Sequence, residues 1–419
     1  RRDIPVTASR DSLIRYFREW EHGRNTPKVP YRDLLCELYG KTAEELGIST
    51  APPQARSDIG LIYAPSLADT LSTVSNLALF DAQRHPGVVT GHFSEEAIYA
   101  ACLDWLFSSS SEGKSGSTSS RVTKRDVDEI SATTMMFDRM DRSFGGEQSR
   151  DLAVKYLHDH VVPKLSGAYD DRIGRDLFHA AAVLCEVIGY MAYDADKHAL
   201  GQRYLIQSLR LAKEADDPAY GAYVLTTMSH QAMYLGRNRE SLRLAQAAGQ
   251  SYTGTHAIVV QTEAAMHEAI AYGALGDGNA AARALLKAER AFARQVPGTG
   301  PDWAAHWGDT VFAAFSGRIW LDLGNATQAR PHLTMAAADS KGQPRRVVYS
   351  SVQLANLTLL EGDAEQAAKY AVAAADAVVG LKSKRSQQVV RDLRAKFEQR
   401  IDVKPLQEFL TRAHDLSAE

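Results

Sequence analysis

Residues 229–248 read Ser229-His230-Gln231-Ala232-Met233-Tyr234-Leu235-Gly236-Arg237-Asn238-Arg239-Glu240-Ser241-Leu242-Arg243-Leu244-Ala245-Gln246-Ala247-Ala248. A helical pattern runs up to Leu235, breaks at Gly236 and resumes at Asn238. A glycine just past a helix supplies the left-handed residue that ends it, and an Asn or Asp beyond it caps the helix that follows. The same punctuation returns at Leu275-Gly276-Asp277, at Leu323-Gly324-Asn325 and, as a variant, at Leu360-Glu361-Gly362-Asp363. Small residues keep a fixed register around the breaks. The triples Gly201/Leu205/Ser208, Ser241/Ala245/Ala248, Ala281/Leu285/Ala288, Ala329/Leu333/Ala336 and Ala367/Ala371/Ala374 share it, and twelve residues before each stands Gly189, Ser229, Ala269, Gly317 or Ala355. Antiparallel helices whose axes lie ~8–10 Å apart need side chains about the size of Ala where they cross. The register therefore predicts five helical hairpins over about residues 172–380, with flanking helices over about 123–165 and 387–415. Gly145-Gly146 reads as the turn of an earlier, degenerate hairpin.

This pattern resembles the tetratricopeptide repeat, with steps of 40, 40, 48 and 38 residues between triples in place of the usual ~34. The resemblance implies an α-solenoid whose first helices line a concave face. The polar and aromatic residues of those helices and their approaches are then the ligand candidates: Tyr190, Tyr193, His230, Gln231, Gln261, His267, Trp303, Trp307, Gln353 and Asn356. Aromatic and amide side chains together suit a peptide or a mid-sized metabolite.

Composition agrees with an all-α chain. Of 419 residues, 45% are hydrophobic and 24% charged, ordinary for a well-cored protein, and the Ala- and Leu-rich sequence favours helix. Cys36, Cys102 and Cys185 stand far apart in helical sequence and form no disulfide or metal pattern, so free thiols in a cytoplasmic protein are expected. No unbroken apolar run approaches the ~18 residues of a membrane span, and no signal peptide is evident. The net charge is −3, yet residues 1–32 carry eight Arg/Lys against four acids, a basic end on an acidic body.

Within that basic end, Ser9 to Glu21 has helical periodicity, with Leu13, Ile14, Phe17 and Trp20 apolar. Trp20-Glu21-His22-Gly23-Arg24 leads to Pro27, and Tyr31 to Tyr39 forms a second amphipathic helix ending at Gly40. Thr42-Ala43-Glu44-Glu45 has capping-box spacing. The run Trp-Glu-His-Gly-Arg, then Tyr31-Arg32-Asp33-Leu34-Leu35-Cys36-Glu37-Leu38-Tyr39-Gly40 and Thr42-Ala43-Glu44-Glu45-Leu46-Gly47, resembles the second half of a helix-turn-helix domain of the phage-repressor-like (Xre) regulators in the form common in actinobacteria. The repeat half is similar to that of large actinobacterial regulators. The resemblance implies that the helix before Trp20 is the recognition helix. Ser9, Arg10, Ser12 and Arg15 would then face base edges of double-stranded DNA, Arg18, Arg24 and Lys28 would anchor phosphates, and Trp20 and Leu35 would be core. About eight residues precede Ser9 where two further helices are expected, so the domain reads as N-terminally truncated.

The expected organisation is a partial helix-turn-helix domain over 1–48, a connector over 49–122 with two helices and the Ser-rich linker Ser108–Ser120, and a repeat domain over 123–419. The expected function is a DNA-binding transcriptional regulator, a homodimer whose repeats sense a small molecule, peptide or protein. The competing reading is an adaptor with a vestigial DNA-binding domain. No enzyme is expected, nor any cofactor or metal. Gly298-Thr299-Gly300 precedes Pro301 and follows no strand, His267-Glu268 lacks a second ligand because position 271 is Ala, and His158 and His160 point apart on a helix.

Overall fold

The computed structural model describes residues 10–21, 27, 31–41, 43, 46, 48, 58–108, 121–296, 298–340, 342–398 and 404–415. The chain divides into two compact units, Arg1–Asp58 and Ile59–Glu419. Among the described residues the regular structure is helical, apart from one isolated bridge between Arg121 and Ala168.

In the first unit, α1 (Arg10–Glu21) and α2 (Tyr31–Tyr39) meet through aromatic rings. Trp20 lies 5.9 Å from Tyr16, 5.2 Å from Phe17 and 5.8 Å from Tyr31. Leu35 and Ile48 are buried, and Gly40 ends α2 with positive φ. Trp20 is half-buried, while Ile14 and Phe17, expected on the apolar face, are partly exposed.

The second unit is a succession of packed helical hairpins in the manner of an α-solenoid. Helices α3 (Leu67–Ala82) and α4 (Glu95–Phe107) come first. A hairpin of α5 (Lys124–Phe144) and α6 (Gly146–Tyr156) follows, and α6 runs on through a π-helical turn to Leu165. Five hairpins come next: α7/α8 (Asp171–Asp194, His198–Glu214), α9/α10 (Pro218–Tyr234, Asn238–Ser251), α11/α12 (Ile258–Ala274, Gly278–Phe292), α13/α14 (Asp309–Asp322, Ala326–Ala338) and α15/α16 (Pro344–Leu360, Ala364–Val378). Helices α17 (Lys384–Phe397) and α18 (Lys404–Asp415) close the chain.

The turns explain the regularity. At the α9/α10 turn Gly236 has φ 72°, and the amides of Gly236 and Arg237 donate back to Met233 O (3.0 Å) and Ala232 O (2.9 Å), a Schellman closure that satisfies the last carbonyls of α9. The α7/α8 turn closes in the same way around Asp196, at φ 65°, without glycine. Asp277, Asn325 and Asp363 each accept the backbone amide three residues on, as cap residues do. Asn238 does not cap α10: the turn has the same length as the others, the cap position after Gly236 is Arg237, Asn238 stands one residue beyond it, and no side chain bonds the amides.

The small residues lie where the paired helices cross. All five triples and their partners are buried. A Cβ on Gly201 would stand 2.9 Å from Gly189 O, and one on Gly189 would stand 3.1 Å from Gly201 O. In the next hairpin Ser229 Oγ donates to Ser241 O at 2.8 Å.

Residues 59–107, expected as a connector, are built into the second unit. Polar side chains of α8 hold the backbone of the segment before α3. Gln207 Nε2 donates to Gly60 O (3.0 Å) and Ile62 O (3.1 Å), Arg210 Nε donates to Ala64 O (2.7 Å), and Arg203 Nη1 donates to Ile59 O (2.5 Å). A backbone without a helix or sheet partner is buried here because side chains replace its hydrogen bonds. Buried Asp81 of α3 accepts from Arg150 Nη1 (2.6 Å) and Tyr204 Oη (2.9 Å). The Ser-rich stretch from 109 to 120 lies outside the described residues.

Helix α7 is long and apolar enough to cross a membrane by length and mean hydropathy (1.2), but 78% of that window is buried inside the unit. Cys185, on the same helix, is buried, and burial pushes its thiol up to about 12. Cys36 and Cys102 are half-buried and free.

Candidate functional site: a central cavity

The solenoid turns back on itself, so that the last hairpins meet the first. The hub is Asp194 at the end of α7, which is fully buried. It accepts from Arg345 Nη2 (3.1 Å), Arg385 Nε (3.1 Å) and Ser383 Oγ (3.0 Å). Arg345 also donates to buried Asp141 at 2.9 Å. Arg385 fills the gap between α17 and α7. Its Nη1 donates to Tyr193 Oη (2.8 Å) and its Nη2 to Tyr190 Oη (2.6 Å), and its carbon centre lies 5.0–5.7 Å from the ring centroids of Tyr193, Tyr190 and Tyr349. Cation–π contact and paired hydrogen bonds make a buried guanidinium tenable. The backbone joins in: Lys382 N donates to Phe144 O at 2.8 Å. Gly145-Gly146 therefore turns α5 into α6 and, lacking side chains, also seats the loop before α17.

Between these hairpins lies a cavity of about 580 Å³, partly open to solvent, within the size range of small-molecule sites. Each surrounding helix contributes one stripe: Asp138, Asp141 and Arg142 from α5, Glu186 and Tyr190 from α7, and Tyr223, Thr227, His230 and Tyr234 from α9. Glu263 and His267 come from α11, His306 and Trp307 from the segment before α13, and Phe315 and Arg318 from α13. Arg345, Arg346, Tyr349, Gln353 and Asn356 come from α15, and Arg385, Asp392 and Lys396 from α17.

Burial sets the protonation of this interior. Glu186 receives Thr227 Oγ1 at 3.0 Å, and burial raises its carboxyl to about 7. Glu263 receives Trp307 Nε1 at 3.1 Å, and burial, with Glu186 adding repulsion, raises it to about 8. The imidazoles move the other way: burial and nearby arginines hold His267 and His306 down at about 3. A low-dielectric enclosure disfavours charge on both groups, so at neutral pH the histidines are uncharged and the two glutamates carry protons for much of the time. Among the described residues several buried polar atoms have no close partner in the wall, namely Tyr349 Oη, Gln353 Oε1 and one ring nitrogen of His267, whose imidazole reaches the backbone of Thr226.

Of the residues expected on the concave face, Tyr190, His230, His267, Trp307, Gln353 and Asn356 line the cavity. Tyr193 lies fully buried behind it, hydrogen-bonded to His230 Nδ1 at 2.5 Å. Three others face elsewhere. Gln231 is one position off the stripe and spends its amide on His198 O (2.9 Å) between helices. Gln261 bonds Gly254 O and Arg294 in a separate groove along α12. Trp303 packs on Tyr220 and Tyr223. Sequence reading missed Tyr223, Glu186, Glu263 and the arginines. Stepping His230 by one and two helical turns would have found Thr227 and Tyr223; the arginines of α15 and α17 enter only through closure.

Among the candidates in the first unit, Arg15 is exposed and lies over the Tyr16 ring at 5.5 Å, Arg18 is exposed, and Ser12 is half-buried. Arg10 begins α1. Ser9, Arg24 and Lys28 lie outside the described residues. No group of three potential metal ligands converges among the described residues.

The fold and site thus define, among the described residues, an all-helical protein of stacked hairpins around a ligand-sized cavity that is partly open to solvent. Compared with family models and with curated proteins, the chain matches neither.

Proposed function

We propose that the chain is an effector-responsive DNA-binding regulator. Its hairpins are tetratricopeptide-type repeats that bind a small molecule in the central cavity, and its first unit is the helix-turn-helix part that docks on DNA as a homodimer. The observation that carries the effector half is the cavity with unpaired buried polar atoms in its wall. Buried polar groups are nearly always hydrogen-bonded, so a wall holding a bare imidazole nitrogen, a hydroxyl and an amide oxygen supports a site for a partner.

The DNA half is supported by the basic N-terminal stretch, by the exposed Arg15 and Arg18 on one short helix, and by the aromatic packing of Trp20. The test is genome-wide immunoprecipitation of the full-length protein and of an Arg15→Ala/Arg18→Ala variant. Discrete sites whose occupancy falls at least tenfold in the variant are expected. No discrete sites, or unchanged occupancy, rejects the DNA half; native mass spectrometry of the purified chain tests the effector half separately.

A further inference from the structure

The lining of the cavity is segregated. Along one wall, rings from successive segments face one another. His230 and His267 are 5.6 Å apart with planes 13° from parallel, His267 and Phe315 are 5.8 Å apart at 34°, and Phe315 and Trp307 are 5.5 Å apart at 30°. Both imidazoles are uncharged, pushed down by burial, so this wall offers ring faces and no charge. Such a surface suits a flat π-system, which gains by offset stacking.

The opposite character gathers near α5 and α15. Most cavity cations are already engaged: Arg345 and Arg385 by Asp141 and Asp194, and Lys396 by Asn356. The Arg346 side chain has no hydrogen bond or ion pair among the described residues; it is half-buried, and burial together with the charge of Arg142, partly offset by Asp339, holds its guanidinium below the ordinary value. Arg142 itself has one carboxylate partner, Asp138 at 2.8 Å. Two guanidiniums repel each other at the rim of the cavity, Arg142 exposed and paired with Asp138, and Arg346 half-buried with Asp339 opposing its charge from beyond ion-pair distance; such a pair forms a site for an anion. Burial keeps Glu263 largely protonated at neutral pH, whereas Glu186, at about 7, is about half ionised and opposes only part of the charge of Arg142.

We propose that the cavity takes a planar, conjugated organic anion of drug-like size, its ring system laid on the His230–His267–Phe315–Trp307 wall and its acidic group held by Arg142 and Arg346. This deepens the effector reading and rests on it. The bare atoms of His267, Tyr349 and Gln353 supply hydrogen bonds to heteroatoms on the ring system. They orient the ligand, while the arginine pair selects its charge.

A matched pair of probes tests the assignment on the full chain: 8-anilinonaphthalene-1-sulfonate, and N-phenyl-1-naphthylamine, which has the same rings without the sulfonate. The sulfonate is expected to bind saturably at one site with quenching of tryptophan emission, and the neutral probe at least tenfold more weakly. Arg346→Gln and Arg142→Gln should each weaken the sulfonate at least tenfold and leave the neutral probe unchanged. The unchanged neutral probe certifies that the chamber is intact in each variant. Arg290→Gln, in the groove along α12, should alter neither. Equal binding of the two probes, or sulfonate binding that survives both cavity variants, overturns the anion assignment and leaves the effector reading standing. Saturable binding of neither probe overturns both.

Discussion

Replacing Glu263 by Gln should make the protein more stable, and the gain should grow with pH. Glu263 has an ordinary carboxyl value of 4.5, and burial beside Glu186 raises it to about 8 in the fold. The folded state therefore holds a proton that the unfolded chain releases above pH 4.5. Stability from this group is fully present below that value and is lost as pH rises through about 8, because the folded state binds more protons across that window. At 1.36 kcal/mol for each tenfold change in proton affinity, the loss reaches about 5 kcal/mol by pH 9 and stays below about 1 kcal/mol at pH 5. Gln carries no proton to lose, keeps an oxygen for Trp307 Nε1, and matches the protonated acid in shape. Unfolding followed by circular dichroism at pH 5, 7 and 9 reads the difference. With an unfolding entropy of ~2 cal/mol/K per residue, a cooperative unit of this size shifts by about 6 °C at pH 9. Residual pH dependence in the variant comes from Glu186, which behaves alike with a window ending near 7. If wild type and E263Q keep the same melting difference from pH 5 to pH 9, Glu263 is not held protonated, and the uncharged interior on which the anion assignment partly leans is wrong.

Three further outcomes follow from particular contacts. Arg385→Met leaves Asp194 buried with one of its two arginines gone, and removing one side of a buried ion pair costs about 3–5 kcal/mol; hydrogen exchange should accelerate in 381–397 and around Gly145 before it does in α9–α12. Gly201→Val places branched carbon where Gly189 O stands 2.9 Å from a Cβ, so the α7/α8 crossing must open at about 1–3 kcal/mol, measured as a shift in urea midpoint. Asp277→Ala removes the acceptor for Ala280 N and should lower stability by about 1 kcal/mol, whereas Asn238→Ala, which removes no cap, should change it by less than about 0.5 kcal/mol.

The elements were legible in the sequence because their causes are local. A left-handed residue, a cap three residues before its amide, and two small residues twelve apart are all visible within one hairpin, and those hairpins form. The α7/α8 turn carries Asp196 where the others carry Gly, and it was found through the Gly189/Gly201 register instead of the turn. The cavity was legible by residue type but not by phase. His230 and Gln231 are adjacent and equally polar, yet ~100° apart around the helix, and only one faces inward. The segment before α3 looked like a connector because prolines and an extended pattern usually mean solvent exposure; the side chains that make it core belong to α8, more than 140 residues on. Asp194 and Arg385 are 191 residues apart, and no local pattern joins them.

Closure and the cavity share residues. Tyr190, Arg345 and Arg385 both line the chamber and tie the last hairpins to the first. Opening the ring therefore dismantles the site, and a ligand that spans the aromatic wall, Arg142 of α5 and Arg346 of α15 binds the closed form alone. Such a ligand stabilises closure by RT ln(1 + [L]/Kd), about 2.7 kcal/mol at a hundred times Kd. That is comparable with the loss expected when Arg385 is removed. A saturating ligand should therefore return most of the protection from hydrogen exchange to 381–397 in the Arg385→Met variant, while leaving exchange in α1 and α2 unchanged. Ligand-independent exchange in 381–397 would mean that closure is a fixed feature of the fold. Ligand-dependent exchange makes the seam between α17 and α7 the element whose equilibrium the effector biases.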